Sequence, residues 1–207
     1  PIGLGYRESL YDTDWVGRFD GDDPFLNTLW LKARNTMNVN MRDSIQDPDR
    51  ERAQWWGDEV ILMDQILYTC DDRAVALVRK GIDNLVDWQK PDGVLFSPIP
   101  AGNWDKELPM QMLASIGEKG FWNYYFLTGD KATIEHAYPA VKKYLSLWQL
   151  GTNGLAVHRP GGWDWADWGE NIDVPVMENA WLYQALNAAA KMARLTGNDA
   201  DVAGYDK

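Results

Sequence analysis

Cysteine, histidine and long apolar runs are scarce in this chain of 207 residues, and each shortage excludes some kinds of site or classes of protein. Cys70 is the single cysteine, which excludes an internal disulfide framework and a thiolate zinc site and favours a buried, small apolar role. His136 and His158 are isolated from each other in the sequence. Each is expected to be a surface or loop residue rather than a metal ligand or a catalytic base. No apolar run reaches the roughly eighteen residues of a membrane span, and the first residues do not have a signal-peptide pattern. We therefore expect no membrane partner, and the sequence does not indicate a compartment.

Positive charge is also in short supply, with 20 Lys and Arg against 31 Asp and Glu and a formal net charge of -11. Phosphate-binding surfaces need clustered basic residues, so nucleic acid and anionic lipid are excluded as expected partners. A neutral ligand such as a sugar remains compatible. The 45% apolar content is enough for a core, but 12 tryptophans exceed what a core of this size needs. Because an indole is bulky and carries an N–H that needs a partner, some of them are expected to line a cleft.

The most unusual stretch runs from Gln46 to Asp58 and reads QDPDRERAQWWGD. Pro48 and Gly57 favour a long loop that ends where a helix begins near Asp58. Carboxylates beside indole rings suit a site that cleaves sugars, with acids that move protons and flat faces that stack on a pyranose. A salt-bridged surface loop with two tryptophans in the core fits the composition equally well. The alternating acids also resemble a calcium loop, but the glycine and the distant glutamate of that loop are missing, so no metal or cofactor is predicted.

Apolar residues recur at helical spacing along most of the remaining chain. Asp23-Pro24 predicts a helix start, with residues 25, 29, 33, 36 and 37 on its buried face. The predicted helices span about 24–41, 58–70, 72–90, 107–127, 131–149 and 175–195. Residues 94–96 and 155–157 are candidates for short strands within loops.

Similar breaks follow three of these helices, at 68–72, 127–131 and 195–199, about sixty residues apart. They predict a repeated helical hairpin with tight turns at one end and long loops at the other. The third long loop, 151–174, contains GGWDWADWGE and matches the first in chemistry. We predict an all-α fold of about three hairpins, with residues 1–23 leading into a domain at 24–207.

The run DRERAQWWGD at 49–58 resembles the signature of bacterial α-L-rhamnosidases of the family-78 glycoside hydrolases. PMQMLASIG at 109–117, GFWNYY at 120–125 and GWDWADWG at 162–169 resemble the same domain in the same order. The resemblance covers about 24–200. It implies an (α/α)6 toroid of six hairpins, of which 24–207 would be an incomplete part, truncated on its C-terminal side.

The resemblance also implies functional residues. Glu51 would be the general acid and Asp58 would contact sugar hydroxyls, with Trp55 or Trp56 at an apolar wall. Where the family has Asp-Cys-Pro, this chain has Gln46-Asp47-Pro48, so either Asp47 or Gln46 would take the place of a substrate-binding aspartate. The later loop adds further substrate-binding candidates, which are Asp164, Trp165 and Asp167.

The implied reaction inverts the anomeric centre of a terminal α-L-rhamnosyl residue on a glycoside or polysaccharide. One carboxylic acid protonates the leaving oxygen while a second carboxylate, roughly 6.5 to 9.5 Å away, activates water. Neighbouring carboxylates and burial would raise the pKa of Glu51, and Arg50 and Arg52 would oppose that rise. The general base is expected beyond Lys207, so this chain alone would be inactive or would self-associate through an exposed apolar face. The alternatives are another six-hairpin glycosidase and a non-catalytic helical module that binds carbohydrate or protein.

Overall fold

The computed structural model describes residues 3–47, 52–100, 104–166 and 169–206, and within them all regular elements are helical. The predicted all-α class is therefore confirmed for the described residues. The helices are α1 (Pro24–Asn40), α2 (Trp56–Thr69), α3 (Arg73–Asp87), α4 (Pro109–Ile116), α5 (Asn123–Thr128), α6 (Lys131–Leu145), α7 (Val174–Leu195) and α8 (Val202–Tyr205). A π-helical turn, Glu118–Trp122, precedes α5, and a 3-10 turn, Asp199–Asp201, precedes α8. None of the described helices combines the length and apolar character needed to cross a bilayer.

Aspartate side chains begin several helices by capping free N–H groups. The Asp23 carboxylate accepts a hydrogen bond from the Phe25 N–H at 2.8 Å, which confirms the predicted start of α1. Asp130 and Asp173 play the same part at α6 and α7. In contrast, α2 begins two residues before the predicted Asp58 and has no side-chain cap, because the Ser97 hydroxyl accepts the Trp56 N–H from across the loop at 2.8 Å.

The helices pack in two rows. In the front row α2 packs against α4, and α4 against α7, while in the back row α3 packs against α6. The core between the rows is built from apolar residues at the predicted helical spacing, among them Val60, Met63, Ile66, Leu77, Val78, Ile82 and Leu85. Cys70 is buried at the end of α2, as predicted.

Tight turns join the rows at one end of the bundle. Three residues separate α2 from α3, and Gly129 and Gly197 end α5 and α7 with φ of 70° and 77°. Glycine is the residue that takes this left-handed conformation without steric cost. The long connections, loop 1 (41–55), loop 2 (88–108) and loop 3 (146–173), therefore lie together at the opposite end, which we call the loop end.

Three expectations about local structure were wrong. On α1, Phe25 is 69% and Leu29 is 51% exposed, and only Met37 of the predicted face is buried, because no other described helix packs closely along α1. The helix predicted over 107–127 is interrupted after Ile116, where Gly117 turns to an extended conformation. Residues 94–96 lie in a loop, and 155–157 contribute only an isolated bridge between Leu150 and Ala156.

Candidate functional site

Loop 1 is closed on itself by its own backbone and one carboxylate. The Asp47 N–H donates to the Ala53 carbonyl at 2.9 Å, and the Ala53 N–H donates to the Asp47 carboxylate at 2.7 Å. Asp47 is buried and so serves as the clasp of the loop. The predicted acid, Glu51, lies outside the described residues, but both ends of the segment that carries it are fixed by this clasp.

A cavity of about 770 Å³ opens between loop 1, loop 2 and α3. Its size is that of a small-molecule site. Its lining combines indole rings, side-chain amides and a few charges, contributed by Asp43, Ser44, Gln46, Arg52, Ala53, Gln54, Trp55, Lys80, Asn84, Trp88, Pro98, Pro100 and Trp104.

Indole rings form the apolar wall of this cavity. Trp55 and Trp104 meet edge to face with ring centroids 5.9 Å apart, and Trp88, the C-cap residue of α3, lines the same space. The Trp104 Nε1–H has no hydrogen-bond partner among the described residues. Gln46 lines the cavity with a half-buried side chain, whereas the neighbouring Asp47 does not line it. Flat apolar faces beside amide groups are complementary to a sugar ring, with its C–H faces and its hydroxyls.

Trp56, the neighbour of Trp55, belongs to the core. It is fully buried and meets Phe121 edge to face at 5.7 Å. Of the two indoles predicted for the wall, Trp55 is therefore the one that lines the cavity.

The first turn of α2 brings loop 1 and loop 3 together. A Cβ atom on Gly57 would lie 2.7 Å from Gln111 Nε2 and 2.9 Å from Trp165 Nε1, so that a larger residue here would displace one of these side chains. Asp58 follows in the same turn and is half-buried. A carboxylate at this end of a helix is favoured by the helix dipole. The structure thus places Asp58 and Trp165 at one helix start.

The described part of loop 3 carries two of its three predicted site residues, since Asp167 lies outside the described residues. The Trp165 ring packs on that of Trp181 with centroids 5.8 Å apart. Asp164 lies 3.6 Å from His158 Nε2. Neither Asp164 nor Trp165 lines the cavity between loops 1 and 2.

Loop 3 is held to loop 2 and to the helices by an acid–base cluster. Arg159 Nε and Nη2 donate to the two Glu107 oxygens at 2.7 and 2.9 Å, and the Tyr144 hydroxyl donates to Glu107 Oε1 at 2.7 Å. This hydrogen bond to Glu107 raises the pKa of Arg159, and burial together with the Glu107 charge raises the pKa of Tyr144. On α7, Glu178 accepts the Arg159 N–H at 3.1 Å. Such charge-assisted bonds fix the base of the tryptophan-rich segment.

Several residues that line the cavity were not predicted from the sequence. Asn84 and Trp88 follow Lys80 at intervals of four, which places the three on one side of α3 and its C-cap, and this polar and aromatic spacing was a signal in the sequence. Trp104 lies in loop 2, and nothing in its local pattern indicates that it would meet Trp55. Among the described residues, no cluster of His, Cys, Asp and Glu is arranged to hold a metal ion.

Comparison with known proteins identifies the domain. Residues 14–207 match the model of the bacterial α-L-rhamnosidase six-hairpin glycosidase domain. An α-L-rhamnosidase from Streptomyces avermitilis is 27% identical over 191 residues, which are 88% of this chain and 18% of that protein.

Solved structures share the fold. The family-78 rhamnosidase of Bacillus sp. GL1 has a TM-score of 0.82 at 22% identity, over 95% of this chain and 20% of that one. The Streptomyces avermitilis α-L-rhamnosidase complexed with L-rhamnose has a TM-score of 0.76 at 24% identity, over 94% of this chain and 19% of that one. This chain thus spans about a fifth of the length of these relatives. The two-row helical architecture and the domain match together show that the chain belongs to the bacterial α-L-rhamnosidase six-hairpin glycosidase family.

Proposed function

We propose that the protein containing this chain is an α-L-rhamnosidase that removes terminal α-L-rhamnosyl residues from glycosides or polysaccharides. The observation that supports this most directly is the indole-walled cavity at the loop end, beside the clasped loop that contains Glu51. The choice of rhamnose as the sugar rests on the family, because relatives that match this chain are named α-L-rhamnosidases and one is complexed with L-rhamnose.

In this proposal Glu51 is the general acid, and Trp55 stacks on the sugar or its leaving group. Asp58 binds sugar hydroxyls, and Asp164, Trp165 and Asp167 add contacts from loop 3. Gln46, which lines the cavity, is favoured over Asp47 as the replacement for the family aspartate, because the Asp47 carboxylate already binds the Ala53 N–H.

The proposed chemistry is a single displacement with inversion. Glu51 gives its proton to the leaving oxygen as the bond to the anomeric carbon breaks, and a carboxylate elsewhere in the protein removes a proton from the attacking water. The resemblance implies that this second carboxylate belongs to a later hairpin of the family's domain. As general acid, Glu51 requires apolar surroundings, because burial disfavours the charged carboxylate and so favours a neutral acid that can give up its proton.

Replacement of the acid in the intact protein tests the proposal. Glu51→Gln should lower kcat/KM by about a hundredfold or more on rhamnosides with alkyl or sugar leaving groups. It should cost much less on 4-nitrophenyl rhamnoside, whose leaving group needs little protonation. The matched control is Asp49→Asn, two positions away on the same loop, which should remain active.

Equal losses in the two variants would contradict the assignment of Glu51. A wild-type protein that binds rhamnose without hydrolysing any rhamnoside would instead support the binding module. Proton NMR of the first product formed tests inversion, for which β-L-rhamnose must appear before mutarotation.

A further inference from the structure

Glu59 is a buried acid to which the proposed reaction gives no role. It lies in the first turn of α2, directly after Asp58, and its side chain is fully buried. A carboxyl group is rarely placed in a core unless it makes specific hydrogen bonds. Its partner therefore indicates what it does.

That partner is Gln54 of loop 1. Gln54 Nε2 lies 3.2 Å from Glu59 Oε2, and Glu59 Oε1 has no hydrogen-bond partner among the described residues. Burial, opposed by this hydrogen bond and reinforced by the charge of Asp58, raises the pKa of Glu59 to about 8. At neutral pH the group is then mainly the uncharged acid, which a core tolerates far better than a carboxylate.

A glycine in the back row leaves space for the contact between Glu59 and Gln54. A Cβ atom on Gly81 of α3 would overlap Glu59 Oε1 and would lie 2.7 Å from Gln54 Nε2. The carboxyl and amide groups therefore fill the space that this glycine leaves between α2 and α3.

Gln54 connects Glu59 to residues that line the cavity. Its Oε1 accepts a hydrogen bond from Asn84 Nδ2 at 3.1 Å, and its backbone carbonyl accepts the Ile99 N–H at 3.2 Å. In sequence it stands between Ala53, which closes the loop 1 clasp, and Trp55, which forms the cavity wall. A shift of Gln54 would move both.

We propose that Glu59 is a positioning residue, which fixes loop 1 against the cavity through its hydrogen bond to Gln54. Glu59 does not line the cavity and acts only through Gln54. Removing its carboxyl group would leave the buried Gln54 amide without this partner, at a cost that favours local opening of residues 52–56.

Amide hydrogen exchange in the intact protein tests this without any substrate. Glu59→Leu, similar in volume but unable to hydrogen bond, should speed exchange in the peptide 52–59 by about tenfold or more. Glu59→Gln keeps a hydrogen-bonding group and should stay within about twofold of wild type. Asn84→Ala removes the second side-chain hydrogen bond of Gln54 without altering α2, and should also speed exchange in 52–59.

The matched control is Glu178→Leu, a second buried glutamate near the start of a front-row helix. Because Glu178 holds the Arg159 N–H of loop 3, its loss should speed exchange in loop 3 and leave 52–59 unchanged. Overturning results would be equal loosening of 52–59 in this control, or unchanged exchange in both Glu59→Leu and Asn84→Ala.

A kinetic measurement, which rests on the proposed rhamnosidase function, gives a second readout. Glu59→Leu should raise KM for a rhamnoside about tenfold with a smaller effect on kcat, and Glu59→Gln should restore it. A wild-type protein without hydrolysis would refute the proposed function and leave the exchange result to stand alone. Normal wild-type hydrolysis with unchanged exchange in both variants would refute the role of Glu59 alone.

Discussion

Trp55 and Trp56 are neighbours in sequence with different surroundings. Trp55 lines the cavity and meets Trp104, whereas Trp56 is fully buried against Phe121. Since α2 begins at Trp56, the two side chains leave the backbone in different directions. Trp55 is therefore part of the cavity wall, and Trp56 is part of the core.

Alanine at each position should separate these roles. Trp55→Ala should weaken rhamnoside binding by about tenfold or more while the free energy of unfolding changes little, because a cavity wall is lost. Trp56→Ala should lower the free energy of unfolding by about 3–5 kcal/mol, since it empties part of the core. Urea denaturation and KM measure the two effects, and similar stability losses in both variants would contradict the distinction.

The buried acid predicts a pH dependence of stability. The pKa of Glu59 rises from 4.5 in the unfolded chain to about 8 in the fold, so the folded state alone keeps the proton between these values. Its contribution is fully present below the lower pKa and is lost as the pH rises, by about 1.4 kcal/mol per pH unit, until the folded pKa is passed. Glu59→Gln should flatten this decline in urea denaturation at pH 5, 6.5 and 8. Parallel curves for the two proteins would contradict it.

Some of this site could be predicted from residues alone, and some could not. The carboxylates and indoles at 46–58 predicted the position of the site, and the resemblance to a family implied a role for each. The Asp47 clasp and the place of Gln46 on the cavity depend on how the loop closes, which no local pattern encodes. Glu59 gave no signal, because a glutamate after an aspartate at a helix start is typical of an exposed first turn.

At the scale of the elements, each front-row helix has a glutamate near its start that holds a loop. Glu59 in α2 contacts loop 1, Glu107 just before α4 binds Arg159, and Glu178 in α7 binds the backbone of loop 3. The start of a packed helix is a rigid anchor for such a contact. Loops 1 and 3 are therefore each held by the helix that they enter, and Glu107 of loop 2 also ties loop 3 to the start of α4.

Gly57 tests the contact between loops 1 and 3. Gly57→Ala favours the helix by roughly 0.5–1 kcal/mol, but its Cβ would meet Gln111 and Trp165 at less than 3 Å. We expect Trp165 to be displaced and kcat/KM to fall several-fold, with the melting temperature nearly unchanged. Gly204→Ala in α8, where no atom lies within 4 Å of the added carbon, is the control and should leave kcat/KM unaltered. Full activity of Gly57→Ala would argue against a role for Trp165.

Helix positions were largely predictable because their signals are local. Asp23-Pro24 and the glycines at 129 and 197 mark ends through capping and left-handed turns, whatever lies nearby. The break at Gly117 was missed because apolar spacing continues through it. There, an added Cβ on Gly120 would overlap the Ser115 carbonyl, so close backbone packing and not side-chain pattern shapes the π-helical turn.

At the scale of the whole molecule, the tight turns and the long loops occupy opposite ends. Gly129→Ala, at φ 70°, should therefore lower the free energy of unfolding by about 1–2 kcal/mol and leave kcat/KM within twofold of wild type. Gly197→Ala, at φ 77°, should behave alike. Denaturation and kinetics on the same samples measure both, and a marked loss of activity would show that the two ends are coupled.

The ion pair between Glu107 and Arg159 also has a consequence for the order of folding. These residues are 52 apart in sequence, and Tyr144, which shares the contact, is 37 from Glu107, whereas each tight turn joins residues only a few positions apart. Loop closure over longer separations costs more entropy and is slower. We therefore expect single hairpins to collapse first and the contacts of the loop end to form last, once neighbouring hairpins have docked side by side.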